Sequence, residues 1–250
     1  MEKSSDFEEI QKNCSIAKNN SLKVLENMKK NSIDLILTDP PYNIGKFMHN
    51  RYTNMGKLRK NHFSSSGWDD LDYDTWIKNM KKFFLESSRI IKTGGSMILF
   101  MSIIKVETVI DLAQQFGFYY KTTGIWHKKN PMPRNMNLHF INSTEAWIYF
   151  TYKKKTGTFR NEDGKPVHDF IETGLTPKSE KKYGSHPTQK PEQIIEHFIK
   201  LLTKKQNKVL DPFMGSGTTG KVCCGLGRKF YGIEISAKYY KIAKKRLLSK

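Results

Sequence analysis

Ile33-Asp34-Leu35-Ile36-Leu37-Thr38-Asp39-Pro40-Pro41-Tyr42 is a short apolar run that stops at an acid, two prolines and an aromatic ring. Ile33 to Leu37 has the length and the β-branched start of a buried strand. Neither proline has an N–H to give to a sheet ladder, so a central strand ends there. Both prolines also fix φ, which sets the direction of the backbone carbonyls. Asp39 and Tyr42 are therefore placed on a stiff loop at the carboxyl end of a strand. That edge is where open α/β sheets bind ligands.

On the amino-terminal side, the first dozen residues are polar and expected to be loose. Ile16-Ala17-Lys18 reads as a short strand, and Ser21 as the cap of a helix reaching Met28. On the other side, Asp74 can cap a helix to Ile91 with Ile77, Met80, Phe84 and Leu85 inward. Gly94-Gly95 ends that segment, and Ser96 to Phe100 is a second buried strand. Val106 to Phe116 reads as a helix, then Phe118 to Trp126 and Glu145 to Tyr152 as strands. Pro191 opens a helix whose face is Ile194, Ile195, Phe198, Ile199 and Leu202. Two more strands, Lys208–Leu210 and Lys229–Ile235, alternate with helices to Leu226 and from Ser236, whose Lys/Arg residues are expected on a solvated face. Strand–helix alternation of this kind indicates an α/β fold, mostly parallel, with helices on both faces of the sheet. A single domain over residues 1–250 is expected.

Two segments break the rhythm. Residues 43–67 show no periodicity and no acid, but carry Lys46, Arg51, Lys57, Arg59 and Lys60 among aromatics. Basic side chains interleaved with rings suit a nucleic-acid contact. Residues 151–185 are polar and glycine-dotted, and read as an insertion. Between two strands, Lys128 to Asn135 is a basic, proline-stiffened turn that includes Arg134.

The chain carries 43 Lys and Arg against 24 Asp and Glu, a net charge of +19. An excess of this size favours a polyanionic partner. Mean hydropathy is −0.62, and no run approaches the ~20 apolar residues of a membrane span. The start, Met1 to Asp6, has no signal-peptide pattern. The three cysteines form neither a disulfide framework nor, with histidine, a zinc spacing; no metal is expected, and a cytoplasmic location is.

Residues 215–220 match G-x-G-x-x-G after one strand and before a helix, with Glu234 at the end of the next strand. Such glycines permit close backbone approach, and such an acid accepts hydrogen bonds from ribose hydroxyls. This unit by itself leaves NAD and S-adenosylmethionine both open.

Three motifs taken together narrow the choice. They are Asp39-Pro40-Pro41-Tyr42, His186-Pro187-Thr188-Gln189-Lys190-Pro191, and Asp211-Pro212-Phe213-Met214-Gly215-Ser216-Gly217-Thr218-Thr219. Together they resemble the amino-methyltransferases of DNA. The order, catalytic tetrapeptide first and cofactor loop last, is the permuted order of the β-class enzymes of restriction–modification systems and orphan adenine methylases. The resemblance runs from about Asn20 to Leu247, apart from the insertion. It implies a Rossmann-like methyltransferase fold using S-adenosylmethionine. It implies a catalytic role for Asp39, Pro40, Pro41 and Tyr42, with Asp211, Phe213, Gly215, Gly217 and Thr218 at the cofactor. Glu234 would hold the ribose, His186 and Lys190 would lie near the methionine carboxylate, and Asn20 near the cofactor adenine. The basic residues of 43–67, with Lys128 and Arg134, would contact double-stranded DNA, and 151–185 would read the target sequence. A homodimer and a cognate restriction endonuclease are further implied partners.

Asp rather than Ser before Pro-Pro-Tyr favours adenine N6 over cytosine N4 within such a family. An oxidoreductase on the same Gly-rich unit would leave Asp39-Pro40-Pro41-Tyr42 and the charge unexplained. A basic DNA-binding protein without catalysis would leave the intact Asp39 and Tyr42 unexplained.

Overall fold

The computed structural model describes residues 6–44, 71–131, 140–184 and 186–249. The strands are β1 (Glu8–Gln11), β2 (Cys14–Ala17), β3 (Ile33–Thr38), β4 (Ile91–Met101), β5 (Phe118–Lys128), β6 (Thr144–Tyr152), β7 (Phe170–Thr173), β8 (Lys208–Asp211) and β9 (Lys229–Ile233). They form one sheet in the order β1-β2-β9-β8-β3-β4-β6-β5-β7. The run from β2 to β4 is parallel throughout, while β6 lies antiparallel to both β4 and β5.

Side chains alternate across a strand, so each central strand feeds two cores. Ile33 and Ile36 of β3 enter one, and Leu35 and Leu37 enter the other. On β4, Met97, Leu99 and Met101 oppose Ile98 and Phe100 in the same way. Three helices, α1 (Ser21–Asn27), α2 (Tyr73–Ile90) and α3 (Val106–Gln114), cover the first face. The second is covered by α4 (Glu192–Leu202), α5 (Thr218–Gly225) and α6 (Ala237–Leu248). Burial on both faces explains why these strands read as continuous apolar runs. Trp76, Phe83 and Phe84 of α2 are fully buried, each contributing about 1.5–3 kcal/mol over exposure.

Several local expectations are corrected. Glu8–Gln11 is an edge strand rather than loose chain, because β2 offers it an antiparallel ladder. Asn20, not Ser21, caps α1: its Oδ1 accepts from Leu22 N and Lys23 N at 3.0 and 3.4 Å. Asp72, not Asp74, caps α2 through Thr75 N at 2.9 Å. Leu85 faces solvent, and Trp76 and Phe83 take the inward positions. Gly94 and Gly95 lie within β4 rather than between elements, at a bulge where two steps along β3 oppose five along β4. The segment expected to be an insertion contains β7, which pairs in parallel with β5 at the sheet edge. No described helix is long and apolar enough to cross a membrane.

Candidate active site

β3 and β8 are parallel neighbours, so their carboxyl-end loops leave the sheet side by side. Their departures in opposite lateral directions, toward β4 and toward β9, make this a topological switch point. Thr38 Oγ1 donates to Asp211 Oδ1 at 2.8 Å, joining the two loops at their roots. The loops share one cavity of about 570 Å³, which Asn20, Glu145, His186, Lys190 and Glu234 also line.

One end of the cavity is an ion cluster. The Tyr42 hydroxyl donates to Asp39 Oδ1. Lys190 Nζ donates to Asp39 Oδ2 at 2.5 Å and lies 3.0 Å from Glu145 Oε2. The other Glu145 oxygen pairs with Lys128 Nζ. Tyr42 also reaches Glu145 Oε2, at 3.4 Å. Trp76 Nε1 donates to the Pro41 carbonyl at 3.2 Å and ties the loop to α2. The Lys190 ammonium faces the Phe100 ring with its centroid at 5.0 Å. Burial pushes the Asp39 carboxyl up, against Lys190, while Glu145 adds to the rise. Burial acts on Glu145 the same way, but Lys190 and Lys128 outweigh it and hold the carboxyl low. Burial opposes the charge on Lys190 too, yet Asp39 and Glu145 raise it overall. Asp39, Glu145, Lys128 and Lys190 thus form one compact cluster of two acids and two bases.

The other end is held by neutral donors. Besides Thr38, Asp211 accepts from Phe213 N at 3.2 Å and from Thr219 Oγ1 at 2.7 Å. Burial raises Asp211 to about 6. Glu234, just beyond β9, accepts from Gly215 N at 3.0 Å and Ser236 N at 2.7 Å, and burial raises it to about 7. Gly215 and Gly217 have φ of +52° and +79°, a region costly for other residues. A Cβ on Gly217 would also stand 3.1 Å from that of Ala243. The His186 ring packs edge-on to Tyr239 with centroids 4.2 Å apart, and burial lowers it to about 4, so it is neutral near pH 7.

Behind the glycine loop sits Arg246, only 3% exposed, against the expectation of a solvated Lys/Arg face on α6. It donates to Thr218 Oγ1 at 2.8 Å and pairs with Glu192 at 2.7 Å and Glu180 at 3.5 Å. Gln189 meets the same loop, accepting from Ser216 Oγ at 3.0 Å.

Asp39, Pro40, Pro41, Tyr42, Asp211, Phe213, Gly215, Thr218, Glu234, His186, Lys190 and Asn20 thus all line one cavity, and Gly217 caps α5 beside it. Two of the basic residues are engaged by acids of the cavity. Lys190 pairs with Asp39. Lys128 pairs with Glu145 and also lines the cavity. Asn20 lines the cavity while its carbonyl oxygen caps a helix. Lys46, Arg51, Lys57, Arg59, Lys60 and Arg134 lie outside the described residues. Glu145, Trp76 and Arg246 escaped the sequence reading. The one available signal was an acid at the head of the apolar run Ala146 to Tyr152.

A family model for DNA methylases matches residues 33–245. The Type II methyltransferase M2.LlaDCHI of Lactococcus lactis subsp. cremoris is 36% identical over 236 residues, spanning 91% of this chain and 86% of its own. The Type II methyltransferase M2.DpnII of Streptococcus pneumoniae is 34% identical over 236 residues, 91% and 87% of the two chains. The crystal structure of the M1.HpyAVI–SAM complex superposes with a TM-score of 0.67 at 28% identity, covering 94% of this chain and 99% of that one. With the motifs gathered around one cavity and this similarity along nearly its whole length, the chain belongs to the N6/N4 family of DNA methylases.

Proposed function

We propose that this chain transfers a methyl group from S-adenosylmethionine to N6 of an adenine flipped out of double-stranded DNA. The observation that carries the reading is the shared cavity. It puts the Asp39–Tyr42 loop at one end and the Gly215–Glu234 pair at the other. The glycine loop leaves room for close backbone approach, and the Glu234 carboxylate at a strand end suits ribose hydroxyls. S-adenosylmethionine, held by the Gly215 and Glu234 end, would supply the sulfonium methyl.

The residues around Asp39 prepare the acceptor. An exocyclic adenine amine is a poor nucleophile because its lone pair is delocalised into the ring. Asp39 and the Pro40 carbonyl accept its two hydrogens and turn the lone pair toward the methyl donor. That is positioning and electrostatic preorganisation rather than deprotonation of a neutral amine. Asp39 takes the proton only once the nitrogen carries the methyl group and a positive charge. The Tyr42 ring offers the flipped base a stacking face, which offsets a few kcal/mol of lost stacking in the duplex. An acid at position 39 supports adenine over cytosine.

The net charge of +19 fits a duplex partner, and residues 43–67 and 151–185 are the segments we assign to DNA contact and target reading. A homodimer and a cognate endonuclease are the partners carried over from the resemblance. Incubation with methyl-labelled S-adenosylmethionine and duplex DNA, followed by digestion to nucleosides and mass spectrometry, tests the reading. N6-methyladenine is expected. N4-methylcytosine would replace the adenine assignment, and unlabelled DNA would remove the activity altogether.

A further inference from the structure

We propose that Glu145 is a positioning residue for methyl transfer: it holds Lys190 and Tyr42 so that Asp39 keeps lone pairs open to the target amine. The inference rests on the transfer reading above and assigns a role to a residue outside the three motifs.

The geometry is specific. A carboxylate has about four lone-pair sites. Tyr42 uses one on Asp39 Oδ1, and Lys190 uses one on Oδ2. The rest are available only while Lys190 stays to one side. Glu145 Oε2 keeps it there, 3.0 Å from Nζ, and the Tyr42 hydroxyl lies 3.4 Å from the same oxygen. Glu145 is aimed in turn. It stands near the start of β6, opposite Trp126 of β5, and Lys128 from the end of β5 clamps its second oxygen. With Asp39 as its only counter-ion, Lys190 would settle across the carboxylate and compete with the amine.

Charge gives a second reason. The formal charges of Asp39, Glu145, Lys128 and Lys190 sum to zero. The amine gains a positive charge as the methyl bond forms, so a neutral cluster accepts it more readily than a cationic one. Among the described residues, the charged or titratable groups facing Asp39 are Tyr42 on its own loop, Lys190 before α4, Glu145 on β6 with Lys128 of β5 behind it, and Asp211 on β8.

The two partners of Asp39 should shift the pH profile in opposite directions. Transfer needs ionised Asp39, which sets the acid limb of kcat. Glu145→Gln removes a negative neighbour, so Asp39 binds its proton less tightly and the limb moves to lower pH. Lys190→Gln removes the cation that opposes burial, so the limb moves to higher pH. The experiment measures kcat, KM for DNA, the acid limb and S-adenosylmethionine affinity for the parent, Glu145→Gln, Glu145→Asp and Lys190→Gln. Expected is a kcat loss of about 100-fold for Glu145→Gln, the scale of a misplaced reacting group. KM and cofactor affinity should hold near the parent values, Glu145→Asp should recover part of the rate, and the two limbs should shift oppositely. A Glu145→Gln enzyme with the parent's kcat and limb overturns the proposal, as do limbs that shift the same way. If Glu145→Gln fails to bind cofactor, and so is misfolded, Glu145→Asp and Lys190→Gln decide it by the same limb criterion. A parent enzyme that methylates no DNA overturns the underlying reading instead.

Discussion

Both ends of the cavity use buried acids at the carboxyl edge of the same sheet, but they neutralise them differently. Asp39 is met by the ammonium of Lys190, which counters the cost of its burial. Asp211 and Glu234 are met by hydroxyls and backbone N–H groups, and burial raises them to about 6 and about 7. Lys190 lowers the Asp39 carboxyl against the burial that raises it, which favours an anion able to take a proton when one is released. An acid satisfied by neutral dipoles acts instead as a fastener: Asp211 ties β3 to the glycine loop, and Glu234 holds Gly215. On the proposed reading, proton acceptance is thus assigned to one end and loop fastening to the other, although the two look alike in residue type.

The comparison breaks most easily at Asp39. Asp39→Ala should cut methyl transfer by at least about 100-fold, the scale of losing one preorganised electrostatic group, while S-adenosylmethionine binding survives. Labelled transfer and equilibrium binding on the same preparation check this, and an equal loss of cofactor affinity would place Asp39 at the wrong end.

Arg246→Ala should act on the other end and on stability. Removing it leaves Glu180 and Glu192 uncompensated and unties Thr218. Breaking a buried pair costs about 3–5 kcal/mol, with the lower figure expected here because a third of Glu192 stays in water. Denaturant unfolding measures the loss, and the cofactor affinity of the folded fraction should fall with it.

The two fastening acids should also show in the pH dependence of stability. Their folded pKa values lie above the unfolded ones of ~3.9 and ~4.3, so the folded state binds more protons between those limits. Their contribution is fully present below about pH 4 and lost as pH rises through about 6 and about 7. The parent should therefore lose stability between roughly pH 4 and 7 relative to Asp211→Asn/Glu234→Gln, by on the order of 2–3 kcal/mol per group. Parallel slopes for the two proteins in thermal melts would show that neither acid is proton-linked to folding.

The smallest effect is expected at Lys128. A phosphate contact would change the slope of log affinity against log salt by about one on removal. Because its ammonium is committed to Glu145, Lys128→Ala should leave that slope unchanged in DNA binding across a salt series.

What could be read in the sequence follows from how local each signal is. The Ile33–Thr38 strand and its abrupt end were legible because periodicity and proline chemistry act within a few residues. The inward face of α4 was legible for the same reason, with Ile194, Ile195, Phe198, Ile199 and Leu202 all buried. β1 was not, because Glu8 to Gln11 has no apolar alternation and is held by a backbone ladder to β2. Asp72 and Asp74 compete for one cap, and only the helix start chooses between them. Arg246 looked like one more cation on a basic helix until Glu180 and Glu192 were brought to it from another part of the chain.

By itself the sequence determined the mostly parallel α/β class, the two loops that line the cavity and the family, since each rests on patterns or motifs contained in short segments. Only the tertiary structure decided which acid meets which partner. Lys190 stands 151 positions from Asp39 and Lys128 17 from Glu145, so no local rule assigns those ion pairs. They exist because the ends of β3 and β5, the start of β6 and the segment before α4 meet at one cavity, where low dielectric makes every unpaired charge costly.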